Sequence, residues 1–510
     1  MLTGPIIISR YMNHSNRDQV QPLPNGRCAV VRELPADLET PLSVYLKLAG
    51  EQPSFLLESV SGGEQVARYS FIGVRPRKAY VLKNHTWEIH FSDGKVLRPL
   101  ETGGNPLDEL RQALQQSAAP DLGASEPGTI PSLPRLVGGL VGYLGYDTVR
   151  FFEPSVALEP REDLPEAIFL QADTLVAVDH AFGRLVLIAV SEANSGLDEA
   201  EARLNGLCER LAKPIPGIIP HQNESAPAEL RSNKTRQEYM QMVSQGQEHI
   251  KTGDIFQVVL SQRLERQTSA APMDIYRALR RLNPSPYMFY FNFGTLAGPI
   301  PFRLIGASPE VHVRLEGRRA LLRPIAGTSA RATNAVEDAA LEEKLLADPK
   351  ERAEHVMLVD LARNDLGRVC EYGSVGVPEQ MVIERYSHVI HIVSQVEGQL
   401  RPEFDALDLL QATFPAGTVS GAPKVRAMQI IRDMEGQPRG PYGGVVGYFS
   451  YDGSMDTCIT LRTLVMHGNT INIQAGAGIV ADSDPATEYQ ETLNKAGALV
   501  AAVKAAEAGL

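Results

Sequence analysis

The stretch that most limits how this chain can fold is residues 213–234, KPIPGIIPHQNESAPAELRSNK. Its prolines interrupt helices and central strands, and its Asn and Ser residues favour turns. A T-x-x-E capping box, Thr235 to Glu238, follows at once and opens a helix with Tyr239, Met242, Val243 and Ile250 along one face. Gly253 ends that helix. The 510-residue chain is therefore expected to divide into an N-terminal domain over 27–212, a linker over 213–234 and a C-terminal domain over 235–505. Either part is long enough to bury a core of its own.

Short apolar runs at 54–60, 69–74 and 79–82 read as strands, with a Ser-Gly-Gly turn at 61–63. Residues 105–116 read as a helix, and 116–134 as a Pro-, Gly- and Ser-rich loop. The segment VGGLVGYLGYD, 137–147, lacks the spacing of a dinucleotide loop and implies close strand packing. Runs at 167–179 and 184–191 read as a hairpin, followed by a helix near 197–211. Beyond the linker, strands at 255–262, 287–293, 311–315 and 319–322 alternate with a helix near 273–282. Helices cover 334–366 with a break at Asp348-Pro349, and strands follow near 382, 389–397, 443–451 and 457–466. Runs of strands mixed with helices in this way predict an α+β fold with mostly antiparallel strands.

A net charge of −12 argues against nucleic acid or an anionic membrane as partner. Cys28, Cys208, Cys370 and Cys458 form no C-x-x-C pair, which points to a reducing, cytoplasmic setting without structural zinc. The N-terminal apolar run is too short for a signal peptide, and no apolar stretch reaches membrane-spanning length.

Chemistry first suggests itself in DSDPATEYQETLNK, 482–495. Asp484 suits an N-cap and Pro485 the first helical position, which puts Glu488 and Glu491 on one face, with Lys495 one turn beyond Glu491. Glu351 and Glu354 repeat that i,i+3 pair in a second helix. Two such pairs suit a hard cation between helices, although Glu at this spacing is ordinarily a solvated face. GTVSGAPK, 417–424, and AGAG, 475–478, the latter read as following a strand, offer backbone to an anion or serve as tight turns. Arg462, read as lying inside an apolar strand, needs a partner for its charge. His391, on the strand face opposite His388 and Ser394, is a core histidine or a proton carrier. Glu310, at a strand start, is a solvated end or a general acid.

Taken together, PIAGT at 324–328, EHVMLVDLARNDLGRV, HIVSQVEG, GTVSGAPK, TLRT, AGAGIV and SDPATEYQETLNKA resemble, in order and spacing, the chorismate-binding enzymes. The resemblance covers roughly 235–503, with a weaker N-terminal match from about residue 35. Within that family the chain is similar to the branch that makes anthranilate for tryptophan synthesis. Ala326 stands where the aminodeoxychorismate-forming members carry lysine, and Gln257 where the water-adding members carry a lysine base. Glutamine cannot deprotonate water, whereas ammonia is already a nucleophile.

The resemblance implies a large α+β unit with a two-sheet β core flanked by helices. It implies Mg²⁺ held by Glu354 and Glu491, with Glu351 and Glu488 acting through water. Gly327, Thr328, Tyr442, Arg462, Gly476, Ala477, Gly478 and Lys495 would contact chorismate, with Thr418 and Gln257 in the catalytic wall. Glu310 would protonate the departing C4 hydroxyl as ammonia adds at C2, and His391 would assist the loss of pyruvate from aminodeoxyisochorismate. Ser59, Pro286, Tyr287 and Met288 would form a feedback site for tryptophan, beside a hairpin longer than expected between Met288 and Ala307. The implied partner is a separate glutamine amidotransferase small subunit, in a heterotetramer of two large and two small subunits. The competing expectations are an aminodeoxychorismate or aminodeoxyisochorismate synthase and, in another class, a non-catalytic tryptophan-binding regulatory subunit.

Overall fold

The computed structural model describes residues 18–60, 68–98, 104–115, 133–192, 196–216, 229–332, 334–385 and 389–509. The turn expected at 61–63, most of the loop expected at 116–134, part of the 213–234 linker, and His388 lie outside the described residues. Two large sheets dominate, one of thirteen and one of twelve strands among the described residues, and their pairings are antiparallel. Helices cover the outer faces, so the fold is α+β.

Both sheets are shared by the segments on either side of 213–234. In the first sheet, Ser54–Glu58 pairs with Tyr287–Gly294 in a register that sets Met288 opposite Glu58. In the second, Gly139–Leu144 lies between Val445–Ser450 and Ala167–Ala172. The glycine-rich run at 137–147 is thus a central strand rather than a nucleotide loop.

The period-2 rule for strands explains the layering. Along Tyr287–Gly294, Phe289, Phe291 and Phe293 enter the core between the sheets, while Met288 and Tyr290 face the helices. Helices Pro41–Leu48, Leu197–Leu211, Pro272–Leu282 and Pro485–Glu507 cover the first sheet. Leu107–Gln115, Pro349–Gly367 and Ala406–Thr413 cover the second. Each fully buried Leu, Val or Phe in these layers contributes about 1.5–3 kcal/mol.

Two strand expectations need correction. The run at 167–179 is not one strand: Ala167–Ala172 lies in the second sheet and Thr174–Asp179 in the first, with Asp173 at the crossing. Only Thr174–Asp179 forms the hairpin with Arg184–Glu192. The run at 457–466 breaks likewise into Met455–Ile459 of the second sheet and Thr463–His467 of the first. Each crossing is only a short polar interruption, at 171–174 and 460–463, between apolar runs, and such an interruption does not by itself signal a change of sheet.

Candidate active site

The two glutamate-bearing helices start as the sequence suggests. The Asp348 carboxylate accepts from the backbone N–H groups of Lys350 and Glu351 at 2.9 and 3.2 Å, and Asp484 accepts from that of Thr487 at 2.9 Å. These caps satisfy N–H groups that a helix start would otherwise leave unpaired. Lys350 at the head of one helix pairs with Asp482, just before the other, at 3.1 Å. The helix starts therefore lie side by side. Burial, with repulsion from Glu354, Asp348 and Glu491, raises the pKa of Glu351; burial, with repulsion from Glu491, raises that of Glu488. The four carboxylates share one electrostatic neighbourhood.

The floor beneath them comes from strands Gln257–Gln267 and Thr470–Ile479. Gln257 donates its side-chain amide to Glu354 Oε1 at 2.8 Å and fixes that carboxylate. AGAG lies inside the strand rather than after it: Ala475, Gly476, Ala477 and Gly478 pair with residues 262 to 259. A Cβ on Gly476 would stand 2.7 Å from Tyr442 Oη and 2.8 Å from Leu260 O, so the phenol crosses directly over the bare backbone. Lys495 Nζ donates to Gly476 O at 2.9 Å and pairs with Glu491 at 2.6 Å.

The walls carry the proton chemistry. Glu310 precedes strand Val311–Glu316 and is buried. Burial pushes its carboxyl up to about 8, against opposing effects of a hydrogen bond from Thr418 Oγ1 at 2.9 Å and the charge of Lys495. Its acid form is therefore populated at neutral pH. His391 Nδ1 lies 3.0 Å from Gly327 O. A carbonyl only accepts, so that contact makes Nδ1 the protonated nitrogen and Nε2 the basic one. Burial lowers the His391 pKa and keeps the ring neutral. Gly327 itself has φ +68°, and a Cβ there would meet Glu351 Oε2 at 3.1 Å, which joins His391 to the carboxylate group. Thr328 follows in strand Ile325–Ala330, paired with His391.

Arg462 is not within a strand. It sits at φ +46° where the chain crosses from one sheet to the other. Its guanidinium reaches Asn283 Oδ1 at 3.5 Å, and no acidic side chain pairs with it among the described residues. Burial lowers its pKa, as expected of a cation kept from water. An anionic ligand would supply the missing charge.

Three structural supports escape a reading of the sequence. Arg439 is fully buried; its guanidinium donates to both oxygens of Glu435, to Val419 O and to Val259 O, and lies over the rings of Tyr146 and Tyr442. Lys424 of GTVSGAPK reaches Asp365 at 2.7 Å and Thr413 O at 3.1 Å, and so ties that turn to the helix of Glu354. Asn283, a helix-terminal residue, faces Arg462. An i,i+4 Glu–Arg pair and a lysine at a helix start both look like surface features, and only the fold shows their burial.

A second cleft of about 1040 Å³ opens at the start of strand Tyr287–Gly294. Ser59, Pro286, Tyr287 and Met288 all line it. Ser59 Oγ is buried without a hydrogen-bond partner among the described residues. Glu58, beside it, accepts from Tyr276 Oη and from Arg280 at 3.1 Å.

Among the described residues no three Asp, Glu, His or Cys side chains already converge as a ligand set. Mg²⁺ needs no such set, since one or two carboxylates completed by water and substrate oxygens suffice. The donors fit this ion: all are hard oxygens, and a cation would relieve the repulsion that raises Glu351 and Glu488.

Comparison with known proteins places the chain in a family. The model of the chorismate binding enzyme family matches residues 52–501. Anthranilate synthase component 1 of Pseudomonas putida is 45% identical over 491 residues, covering 94% of this chain and 96% of that protein. The Thermus thermophilus protein of the same name is 46% identical over 477 residues, covering 93% and 97%. The crystal structure of anthranilate synthase component I from Streptococcus pneumoniae superposes with a TM-score of 0.73 at 34% identity, covering 91% of this chain and 98% of that one. With a family model spanning most of its length and these relatives matching nearly end to end, the chain belongs to the chorismate-binding enzymes.

Proposed function

We propose that this chain is the synthase subunit that converts chorismate and ammonia to anthranilate and pyruvate, the first step toward L-tryptophan, in the cytoplasm. The observation that carries the reading is Glu310, buried, hydrogen-bonded by Thr418 and with its carboxyl pushed up to about 8, in a chain whose Gln257, held on Glu354, is an amide and not a base. Expelling a hydroxyl requires an acid, and adding ammonia requires none of the base catalysis that water demands.

In this reading Arg462, Lys495, Tyr442 and the backbone of 476–478 hold the substrate carboxylates, with Gly327 and Thr328 along the same wall. Glu310, oriented by Thr418, gives its proton to the C4 oxygen while ammonia bonds to C2. The neutral ring of His391 then assists removal of the C2 proton as pyruvate leaves aminodeoxyisochorismate. Mg²⁺ on Glu354 and Glu491, with Glu351 and Glu488 behind water, would supply Lewis-acid compensation for the ring carboxylate. Gln257 holds Glu354 in place for that ion.

The relatives named component 1 support a partner component. We assign it as a glutamine amidotransferase small subunit, two copies of each subunit forming a heterotetramer, and the second cleft as a feedback site for tryptophan. The test is direct: the purified chain with chorismate, Mg²⁺ and an ammonium salt should yield fluorescent anthranilate, and with glutamine alone it should not. No anthranilate from ammonium, or a product that keeps its enolpyruvyl group, would overturn the reading.

A further inference from the structure

Next to Glu310 lies a small pocket of about 40 Å³ that the mechanism above leaves unused. Its polar lining is Glu310, Thr418, His312, Thr413, Asp365 and Arg323. One apolar wall is the helix face of Leu358, Leu361 and Ala362, and strands supply another with Val311, Leu322 and Ile459. Of the residues assigned to substrate or metal, none but Glu310 and Thr418 lines it, so it adjoins the substrate site through that pair alone. The half-buried Arg323, Leu361 and Ala416 open it toward solvent.

Its size and chemistry fit water. A buried water needs roughly 10–15 Å³ of such space and two to four polar partners, so the pocket has room for about three or four. Thr418 occupies Glu310 Oε1, which leaves the second carboxyl oxygen for another partner. Lys424 occupies Asp365 Oδ2, and His312 is held by Thr413 O at 3.3 Å. Arg323 turns a terminal nitrogen to Glu384, while its Nε is buried without a partner among the described residues. Burial lowers the pKa of His312 to about 3, so its ring is neutral and serves as a hydrogen-bonding wall rather than an acid.

We propose that this pocket is a water site serving Glu310: it takes up the water formed from the C4 hydroxyl and returns a proton to the carboxylate. The inference rests on the chorismate-aminating reading. The balance is complete within one turnover. The Glu310 proton moves to the C4 oxygen as the C4–O bond breaks, leaving a carboxylate and one water. The nitrogen added at C2 sheds one proton on becoming a neutral amine, and that proton, carried by water, restores the carboxyl. No external acid is consumed.

The test is to fill the pocket without touching either of its shared residues. Ala362→Leu adds bulk from the helix wall, and Ala416→Val does so near the mouth, should the first variant fold poorly. Enzyme, chorismate, Mg²⁺ and ammonium are followed by anthranilate fluorescence in single-turnover and steady-state modes. A single turnover starts with Glu310 already protonated and should keep the parent rate. The steady-state kcat should fall by about tenfold or more, less than the roughly 10²- to 10⁴-fold of losing the general acid itself, which stays in place. A larger solvent deuterium isotope effect should appear in steady state only. Equal loss in both modes, or loss in neither, overturns the water site. Failure of the parent chain to make anthranilate would instead overturn the reading on which it rests.

Discussion

At the scale of single residues, Glu310 makes the sharpest predictions. Glu310→Gln should lower kcat by about 10²- to 10⁴-fold, the range for general-acid catalysis, with a smaller change in KM for chorismate. In the parent enzyme kcat at saturating ammonia should fall as pH rises through about 8, where the acid form is lost. The same group affects stability. Its folded pKa of about 8 exceeds the ordinary 4.5, so between these values the folded chain keeps a proton that the unfolded chain has released. Stability therefore declines with rising pH across that window. The gain in Tm of Glu310→Gln over the parent should be largest above about pH 8 and vanish near pH 4.5, which thermal unfolding at several pH values will check. Gly476→Ala makes a different point. The Leu260 carbonyl cannot retreat from the new methyl, so overpacking of about 1–3 kcal/mol is expected in chemical denaturation, with a raised KM for chorismate as Tyr442 is displaced.

At the scale of elements, much was legible. The Thr235–Glu238 capping box, the Asp484 cap and the helix break at Asp348-Pro349 stand as the residues imply, because caps and prolines act locally. The roles proposed for Glu310 and His391 rest on motif order; their burial and hydrogen-bond partners emerge only from the fold. The sheet crossings at Asp173 and Arg462 were not legible, since each is a short polar interruption between two apolar runs and nothing local says that the second run joins the other sheet. Nor was the Glu435–Arg439 pair, whose spacing is that of countless exposed helix pairs. Its burial predicts a large effect. Glu435→Ala would strand a fully buried guanidinium and should cost about 3–5 kcal/mol in urea unfolding. Replacing Glu435 and Arg439 together with apolar residues should cost less than that single change.

At the scale of the whole molecule, the residues at 213–234 read as a boundary, yet strands from both sides share both sheets. A fragment beginning at residue 229 would expose the edges of Tyr287–Gly294 and Val445–Ser450, and long apolar edges invite association. Expressed alone it should elute as aggregate in size-exclusion chromatography, and co-expression with residues 1–216 should restore a soluble complex. The shared sheet also bears on the feedback site proposed above. Ser59 and Met288 come from distant parts of the chain but meet at one cleft, and Ser59→Ala should weaken inhibition by tryptophan in the ammonia-dependent assay with little change in uninhibited kcat. The pairing of Gly139–Leu144 with Val445–Ser450 has a consequence for synthesis in the cell. The two strands are separated by about 300 residues, so at 5–20 residues per second the earlier one waits roughly 15–60 s on the ribosome for its partner. Through that interval an entirely apolar strand has one side uncovered, and the yield of native protein should depend on translation speed, growth temperature and chaperone supply.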